Sequence, residues 1–473
     1  MNRIKFGTSG WRGILGDDFT LENVRIVTQA IADHLRSEGL ADNGLVVGCD
    51  ARFMGRDFAR ETVRVLAGAG IKSFLCERDT PTPVIAHELL RRKASGAINF
   101  TASHNPYDYN GIKFSPAWGG PALPETTGDI ERRANALMGE VCYKEMFLDE
   151  AERAGLYEII DPRPAYFETL RRLIDFAAIK RSTMKIAVNP LYGSGRGYLD
   201  TLLTEAGIDI VCMNDHLDPY FGGKPPEPAA AYIPDFIELV QSDPQITLGL
   251  ATDGDADRYG IVDGDGSYIE PNYILALLLD YLIRRKGLRG DASRSVATSH
   301  LVDAVAAYHG VKLLETPVGF KYIGEYISED RILIGGEESA GLSIRGHVPE
   351  KDGILACLLV AEMVAVEGRS LQQLLTDLYQ RVGEFYTRRV NLKLASGLED
   401  SLQEKLQNPP ETIGGRRIKE IIRIDGSKYL FEDGSWMLFR KSGTEPVVRL
   451  YGEAGSAAEL DRLMQAGEQF VLG

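Results

Sequence analysis

"GLVVGCD" at Gly44–Asp50, "GRDFARETVRVLAGAG" at Gly55–Gly70 and "IKSFLCE" at Ile71–Glu77 decide the fold. The first and third are short apolar runs of strand length. The second carries a helical repeat and closes on glycine. Strand, helix and strand in that order make an α/β unit. The order returns as "MKIAVNP" (Met184–Pro190), "GRGYLDTLLTEAG" (Gly195–Gly207) and "IDIVCM" (Ile208–Met213). It returns again as "RSVATSH" (Arg294–His300), "LVDAVAAYHG" (Leu301–Gly310) and "VKLLET" (Val311–Thr316). Three openings of one kind predict three related α/β domains with mixed sheets.

Each unit runs on to a further strand that ends in a polar loop: "AINFTASHNP", "ITLGLATDGDADR" and "ILIGGEESAG". Ligands of open α/β sheets bind beyond the carboxyl ends of strands. The three ends are therefore expected around one central cleft. The last stretch, Gly415–Gly455, has short strands with Asp-Gly turns, and Ser456–Leu472 is an amphipathic helix. It predicts a smaller C-terminal α+β domain. Boundaries are expected to give domains at 1–155, 156–260, 261–378 and 379–473.

The totals agree with several domains. A chain of 473 residues exceeds what one core usually supports. It is 44% hydrophobic and 26% charged, which fits a globular protein and not a disordered one. No apolar run reaches the roughly 18 residues that a membrane span needs. "MNRIKFGTSG" lacks a secretory h-region. Cys49, Cys76, Cys142, Cys212 and Cys357 show no CxxC spacing. Reduced thiols in a cytoplasm are expected. A net charge of -15 excludes general binding of nucleic acid or anionic membrane. An anionic ligand would need cations concentrated locally.

Five segments could carry chemistry. In "TASHNP", Ser103 ends a strand before an Asn-Pro breaker, which holds it exposed and fixed. His104 is its chain neighbour, so it is not expected beside the hydroxyl as a triad base. Lys113 follows in "NGIKF" and could balance phosphate charge or shuttle a proton. A turn serine and a surface lysine would read the same way. In "ATDGDADRYG", Asp253, Asp255 and Asp257 alternate after a strand. Carboxylates this close repel unless a hard divalent cation such as Mg2+ lies among them. Arg258 would bring positive charge to the same place. The EF-hand pattern fails, because its sixth and twelfth positions would be Arg258 and Gly264. Asp263 and Asp265 in "VDGDGSY" read as a hairpin turn.

"GGEESAG" sets Glu337, Glu338 and Ser339 in a glycine-rich loop suited to vicinal sugar hydroxyls, or to a helix N-terminus. Lys321 precedes it, and His347 and Lys351 follow. "RKSGTEPVVRLY" gathers Arg440, Lys441, Ser442, Gly443, Thr444 and Arg449 into the local cationic cluster that a phosphate would need. Near the start, Arg12 in "GTSGWRG" could clamp a transferring phosphoryl group. The chain lacks a GxSxG elbow, a GxxxxGK[ST] loop and GxGxxG spacing, which weakens serine-hydrolase, kinase and dinucleotide readings.

Taken in order, "GTSGWRG", "TASHNP", "DGDADR", "GEES" and "SGTEP" resemble the α-D-phosphohexomutase family over essentially the whole chain. The resemblance implies four domains, the first three of one topology. It implies that Ser103 is the phosphoserine and that Asp253, Asp255 and Asp257 hold Mg2+ with a phosphoserine oxygen. Arg12 and Arg258 would neutralise phosphate, and Lys113 and His104 would belong to the proton-transfer set. Glu337 and Ser339 would read the sugar O3 and O4. Lys321, His347 and Lys351 would also face substrate. Arg440, Ser442, Gly443, Thr444 and Arg449 would hold the phosphate that is not being transferred.

The implied activity is a phosphoglucomutase, passing through glucose 1,6-bisphosphate, since "GEES" with "HVPEKDG" is most similar to that branch. A phosphomannomutase or a dual-specificity enzyme is the alternative. A metal-dependent phosphatase with an Asp nucleophile and a non-catalytic sugar-phosphate binder stand further off. Expected partners are small hexose phosphates, with a monomer or weak dimer as the assembly.

Overall fold

The computed structural model describes residues 3–7, 10–139, 142–393, 398–441 and 447–472. Four sheets divide the chain. In the first, β1 (Leu45–Cys49), β2 (Ser73–Cys76) and β3 (Gly96–Phe100) run parallel, and β4 (Tyr109–Pro116) pairs antiparallel with β3. The second sheet repeats this with β5 (Lys185–Asn189), β6 (Asp209–Cys212), β7 (Ile246–Thr252) and the antiparallel β8 (Tyr259–Asp263). The third does so with β9 (Asp291–Ser295), β10 (Leu313–Thr316), β11 (Ile332–Glu337) and the antiparallel β12 (Gly341–Ile344). In each the spatial order is fourth, third, first, second. The three domains therefore share one topology.

The strands that read as continuous apolar runs are buried along their whole length, as helices on both faces require. The first domain closes its own core around Trp11, Phe19, Phe58 and Phe100, with the first two rings stacked at 4.6 Å. The second and third domains share a core. Helix Gly353–Glu367 is apolar almost all round and buried on nearly every side, which suits an element with no solvent face. Asp352 caps it, accepting from Leu355 N at 2.9 Å.

Three boundaries move. Strand Tyr157–Ile160 pairs with β2, so the first sheet extends past 155. Tyr268–Ile269 pairs with β8, which carries the second domain past 260. Helix Leu371–Val382 runs through 378 and packs on the third domain's helices. Each is a short edge element or a helix that follows its repeat and lies outside its periodicity. The stretch Arg294–His300 is also not one strand. The strand ends at Ser295, whose Oγ lies 2.9 Å from Thr298 Oγ1 and closes a turn.

The fourth sheet is antiparallel, with strands Tyr386–Lys393, Val447–Ala454, Trp436–Lys441, Ser427–Phe431, Arg416–Ile422 and Thr412–Ile413 in spatial order. It docks on the third domain through buried charge. Lys428 Nζ donates to Val296 O at 2.8 Å, lies 2.9 Å from His300 Nε2 and stands 4.1 Å from the Trp436 ring. Glu315 bonds Arg294 at 2.6 Å and lies 3.4 Å from the same amine. Among the described residues no helix is long and apolar enough to cross a membrane.

Burial, and then Arg294, push the Lys428 amine down from 10.5 to about 7. The unfolded chain takes up this proton from about pH 10.5 downward, and the folded chain resists until about pH 7. The cost to folding therefore grows as pH falls across that window and is constant below it. Lys428→Met should gain stability relative to the parent between pH 10 and pH 7, by a few kcal/mol in order of magnitude. Urea unfolding of both proteins at the two pH values checks this. A difference that does not change with pH refutes it.

Candidate active site

The loops that follow the third strand of each repeat meet. The first, between β3 and β4, carries Ser103. The second, between β7 and β8, carries the three aspartates. The third, between β11 and β12, carries Glu338 and Ser339.

Ser103 is 1% exposed and adopts φ 52°, the left-handed region that side chains rarely take. Its Oγ donates to Asp253 Oδ2 at 2.9 Å. His104 Nδ1 lies 3.3 Å from the same Oγ. This corrects the expectation that a chain neighbour could not sit beside the hydroxyl: the left-handed turn swings the two side chains together. The seam is tight, and a Cβ at Gly254 would stand 2.7 Å from Ser103 O. Only glycine allows the metal loop to come this close.

Asp253, Asp255 and Asp257 are wholly buried, with ligand oxygens within 4.8 Å of one another. Among the described residues, Asp255 Oδ1 and Asp257 Oδ1 have no hydrogen-bond partner. An all-oxygen set with orphaned buried oxygens fits a hard cation such as Mg2+. Lys113 Nζ lies 2.7 Å from Asp255 Oδ2 and 3.1 Å from Asp257 Oδ2. Lys351 Nζ lies 2.6 Å from Asp257 Oδ2. Burial and the two other carboxylates push Asp253 well up. Burial acts in the same sense on Asp255, but Lys113 and Lys351 overcome it and hold that carboxyl down. The same lysines, with Arg258, hold Asp257 down against burial and Asp255.

Two arginines come close to the serine loop and the triad. Arg12 Nη1 donates to Asn105 Oδ1 at 2.5 Å, and Arg258 Nη1 lies 3.5 Å from Glu227 Oε2. Arg258, then burial, then Arg12 drive the His104 imidazole well below its ordinary value.

At the third repeat, Glu337 Oε1 accepts from Gly319 N at 2.7 Å, and burial with the neighbouring Glu338 pushes its carboxyl up to about 7. Ser339 is half-buried in the same loop. Lys321 stands one residue into the helix that begins at Phe320, its amine lowered by burial. Two expected substrate residues have partners within the protein. The His347 side chain is fully buried, 2.6 Å from Asp352 Oδ2. Lys351 is drawn to Asp257, since a buried carboxylate needs a counter-charge more than an open sugar face does.

Arg440 and Arg449 are direct cross-strand partners. Like charges in that register repel and favour an anion between them. Arg440 Nε also donates to Asp425 Oδ2 at 2.8 Å. Ser442, Gly443 and Thr444 lie outside the described residues.

Several contributors escaped the sequence reading. Thr82 Oγ1 donates to Asp255 Oδ2 at 2.5 Å and accepts from Asn99 Nδ2 at 2.8 Å, so the first domain orients a metal-loop carboxylate. Asp50 and Arg52 lie under the serine loop, and Glu227 lies 3.7 Å from His104 Nε2. Asp50 and Arg52 follow β1 at its carboxyl end, a position that could have marked them.

Comparison with known proteins agrees with this geometry. Models of the phosphoglucomutase/phosphomannomutase family match along the chain: domain I over 3–139, domain II over 164–266, domain III over 270–382 and the C-terminal domain over 390–467. A phosphoglucomutase/phosphomannomutase of Thermococcus kodakarensis is 31% identical, covering 98% of this chain and 97% of the relative. A phosphoglucomutase of Komagataeibacter xylinus is 30% identical, covering 99% and 91%. A solved structure from Thermus thermophilus, assigned as a phosphomannomutase, superposes over 100% of both chains with a TM-score of 0.86 and 33% identity.

Thr82→Val keeps shape and removes the hydroxyl that orients Asp255. Support of this kind is worth about 10- to 100-fold in metal affinity. Calorimetric titration with Mg2+ should show that loss in the variant. An unchanged affinity would refute the role given to Thr82.

Proposed function

The chain belongs to the phosphoglucomutase/phosphomannomutase family and so to the isomerase-class phosphohexomutases, and from that premise we propose that it interconverts glucose 1-phosphate and glucose 6-phosphate through phospho-Ser103. One observation carries the reading. Ser103 Oγ sits 2.9 Å from a carboxylate of the buried triad, and the charges of Arg12 and Arg258 act on that same triad.

Asp253, Asp255 and Asp257 would hold Mg2+ with a phosphoserine oxygen, and the ion would supply Lewis-acid charge stabilisation. Arg12 and Arg258 bind the equatorial oxygens of the transferring phosphoryl, where charge accumulates. In the forward step the Ser103 Oγ–P bond breaks and a bond forms from phosphorus to the free sugar hydroxyl oxygen. That hydroxyl's proton passes, on balance, to Ser103 Oγ. His104 Nδ1, 3.3 Å from Oγ, is within reach to relay it. The bisphosphate then turns around, and its other phosphoryl returns to Ser103 with the reverse proton movement. Lys113 and Lys351 keep Asp255 and Asp257 ionised throughout.

Glu337 and Ser339 bind O3 and O4 in either orientation of the sugar. Arg440 and Arg449, with Ser442, Gly443 and Thr444, hold whichever phosphate is idle. The fourth domain acts as a lid that keeps the bisphosphate in and water out. We place the reaction in the cytoplasm, with glucose 1,6-bisphosphate as activator. Glucose and mannose share their configuration at C3 and C4, so Glu337 and Ser339 do not separate them. The phosphomannomutase assignment of the Thermus thermophilus structure favours mannose phosphates as second substrates.

Phosphorus NMR with Mg2+, a trace of glucose 1,6-bisphosphate and glucose 1-phosphate should show glucose 6-phosphate forming. Mannose 1-phosphate should react more slowly. Ser103→Ala should abolish both conversions. Inorganic phosphate as the main product, or activity that survives Ser103→Ala, overturns the proposal.

A further inference from the structure

Ser103 is held in a conformation that its own chain does not favour, and the structure shows what holds it. Arg52 is the turn residue between β1 and helix Gly55–Gly68, and its side chain is wholly buried. Its Nη2 donates to Ser103 O and Asn105 O, each at 2.6 Å. Its Nη1 donates to Pro106 O at 2.7 Å and Tyr109 O at 3.1 Å. Its Nε donates to Asp50 Oδ2 at 3.1 Å. These contacts use all five N–H groups of a guanidinium. Four of the five acceptors are carbonyls of one loop.

The loop is gripped from its other side as well. Asp50 Oδ2 accepts from Thr101 Oγ1 at 2.6 Å, and Thr101 Oγ1 accepts from Ser103 N at 2.8 Å. The circuit Asp50, Thr101, Ser103, Arg52 is closed. It fixes both the N–H and the C=O of Ser103, so φ 52° is held and Cβ, from which Oγ projects, is fixed in place. The face of the guanidinium also lies 5.0 Å from the Phe221 ring, which belongs to the second domain. The clamp therefore registers the serine loop against the domain that carries the aspartates.

We propose that Arg52 is a positioning residue for phosphoryl transfer: its five-bond clamp, closed through Asp50 and Thr101, aims Ser103 Oγ at the triad. The inference rests on Ser103 being the phosphoryl carrier. A lysine cannot replace it, because a single ammonium with three donors does not span four carbonyls and a carboxylate.

The test follows uptake of one phosphoryl group from glucose 1,6-bisphosphate by intact-protein mass, with the modified residue located by peptide mapping. In that step a sugar O–P bond breaks, the Ser103 Oγ–P bond forms, and the Oγ proton goes to the released sugar oxygen. Arg52→Lys should slow uptake by about 10²-fold, the scale of an ångström's misplacement. Affinity for glucose 6-phosphate should be unchanged. Thr101→Val, which breaks the circuit at Asp50 without touching Arg52, should slow uptake by about tenfold. Uptake at the parent rate in either folded variant overturns the proposal, as does a loss confined to glucose 6-phosphate affinity. Should Arg52→Lys fail to fold, Thr101→Val decides alone. Absence of phosphate at Ser103 in the parent protein is a separate failure: it removes the carrier role itself, and the clamp's purpose with it.

Discussion

Three carboxylates buried within 4.8 Å of one another are the constraint around which this protein is organised. Burying even one unpaired charge costs several kcal/mol, and three of like sign cost more. The fold answers with positive charge from three places. Lys113 comes from β4 of the first domain, Arg258 from the metal loop itself and Lys351 from the turn before the central helix. Two carboxylate oxygens are still left without partners among the described residues, at the place a cation would take. Ser103 is held against the rim of this cluster. The charge balance, the seam between the first two domains and the proposed chemistry are thus one problem with one solution.

The threefold repeat explains why such a solution is available. One topology, used three times, places an equivalent hairpin loop at the same end of each sheet. The first of these loops presents the serine, the second the aspartates and the third Glu338 and Ser339. The second and third domains share one apolar core through helix Gly353–Glu367, so their two loops are held together rigidly. The first domain's main core is separate, and it is tied to the second by Val84, which joins the shared core, and by polar contacts at the site, among them Thr82 to Asp255. The fourth domain docks through the buried Lys428 cluster.

Local pattern carried most of the fold. The strand–helix–strand openings were readable because strands buried on both faces become continuous apolar runs, and "DGDAD" because three alternating aspartates have few other uses. What escaped was set by tertiary context. Tyr157–Ile160 and Tyr268–Ile269 are edge strands too short to leave a period. His347 stands in a segment that resembles the family's, yet its ring is turned to Asp352 and sealed in the core. Lys351 was readable as a cation near the site, but not as the partner of Asp257. Arg52 carries no mark in the sequence, since its five acceptors are mostly backbone carbonyls and carbonyls have no letter. The left-handed φ of Ser103, which brings His104 alongside, is likewise invisible in a string of residue names.

The proposed role of Ser103 puts its phosphoryl group directly at the aspartate triad. Pulsed electron–nuclear double resonance on the phosphorylated protein with Mn2+ bound reads that proximity. A strong phosphorus coupling to the ion is expected, lost when the protein is dephosphorylated and when Asp255 is replaced by Asn. A phosphoserine at 103 with tightly bound Mn2+ and no phosphorus coupling would contradict it.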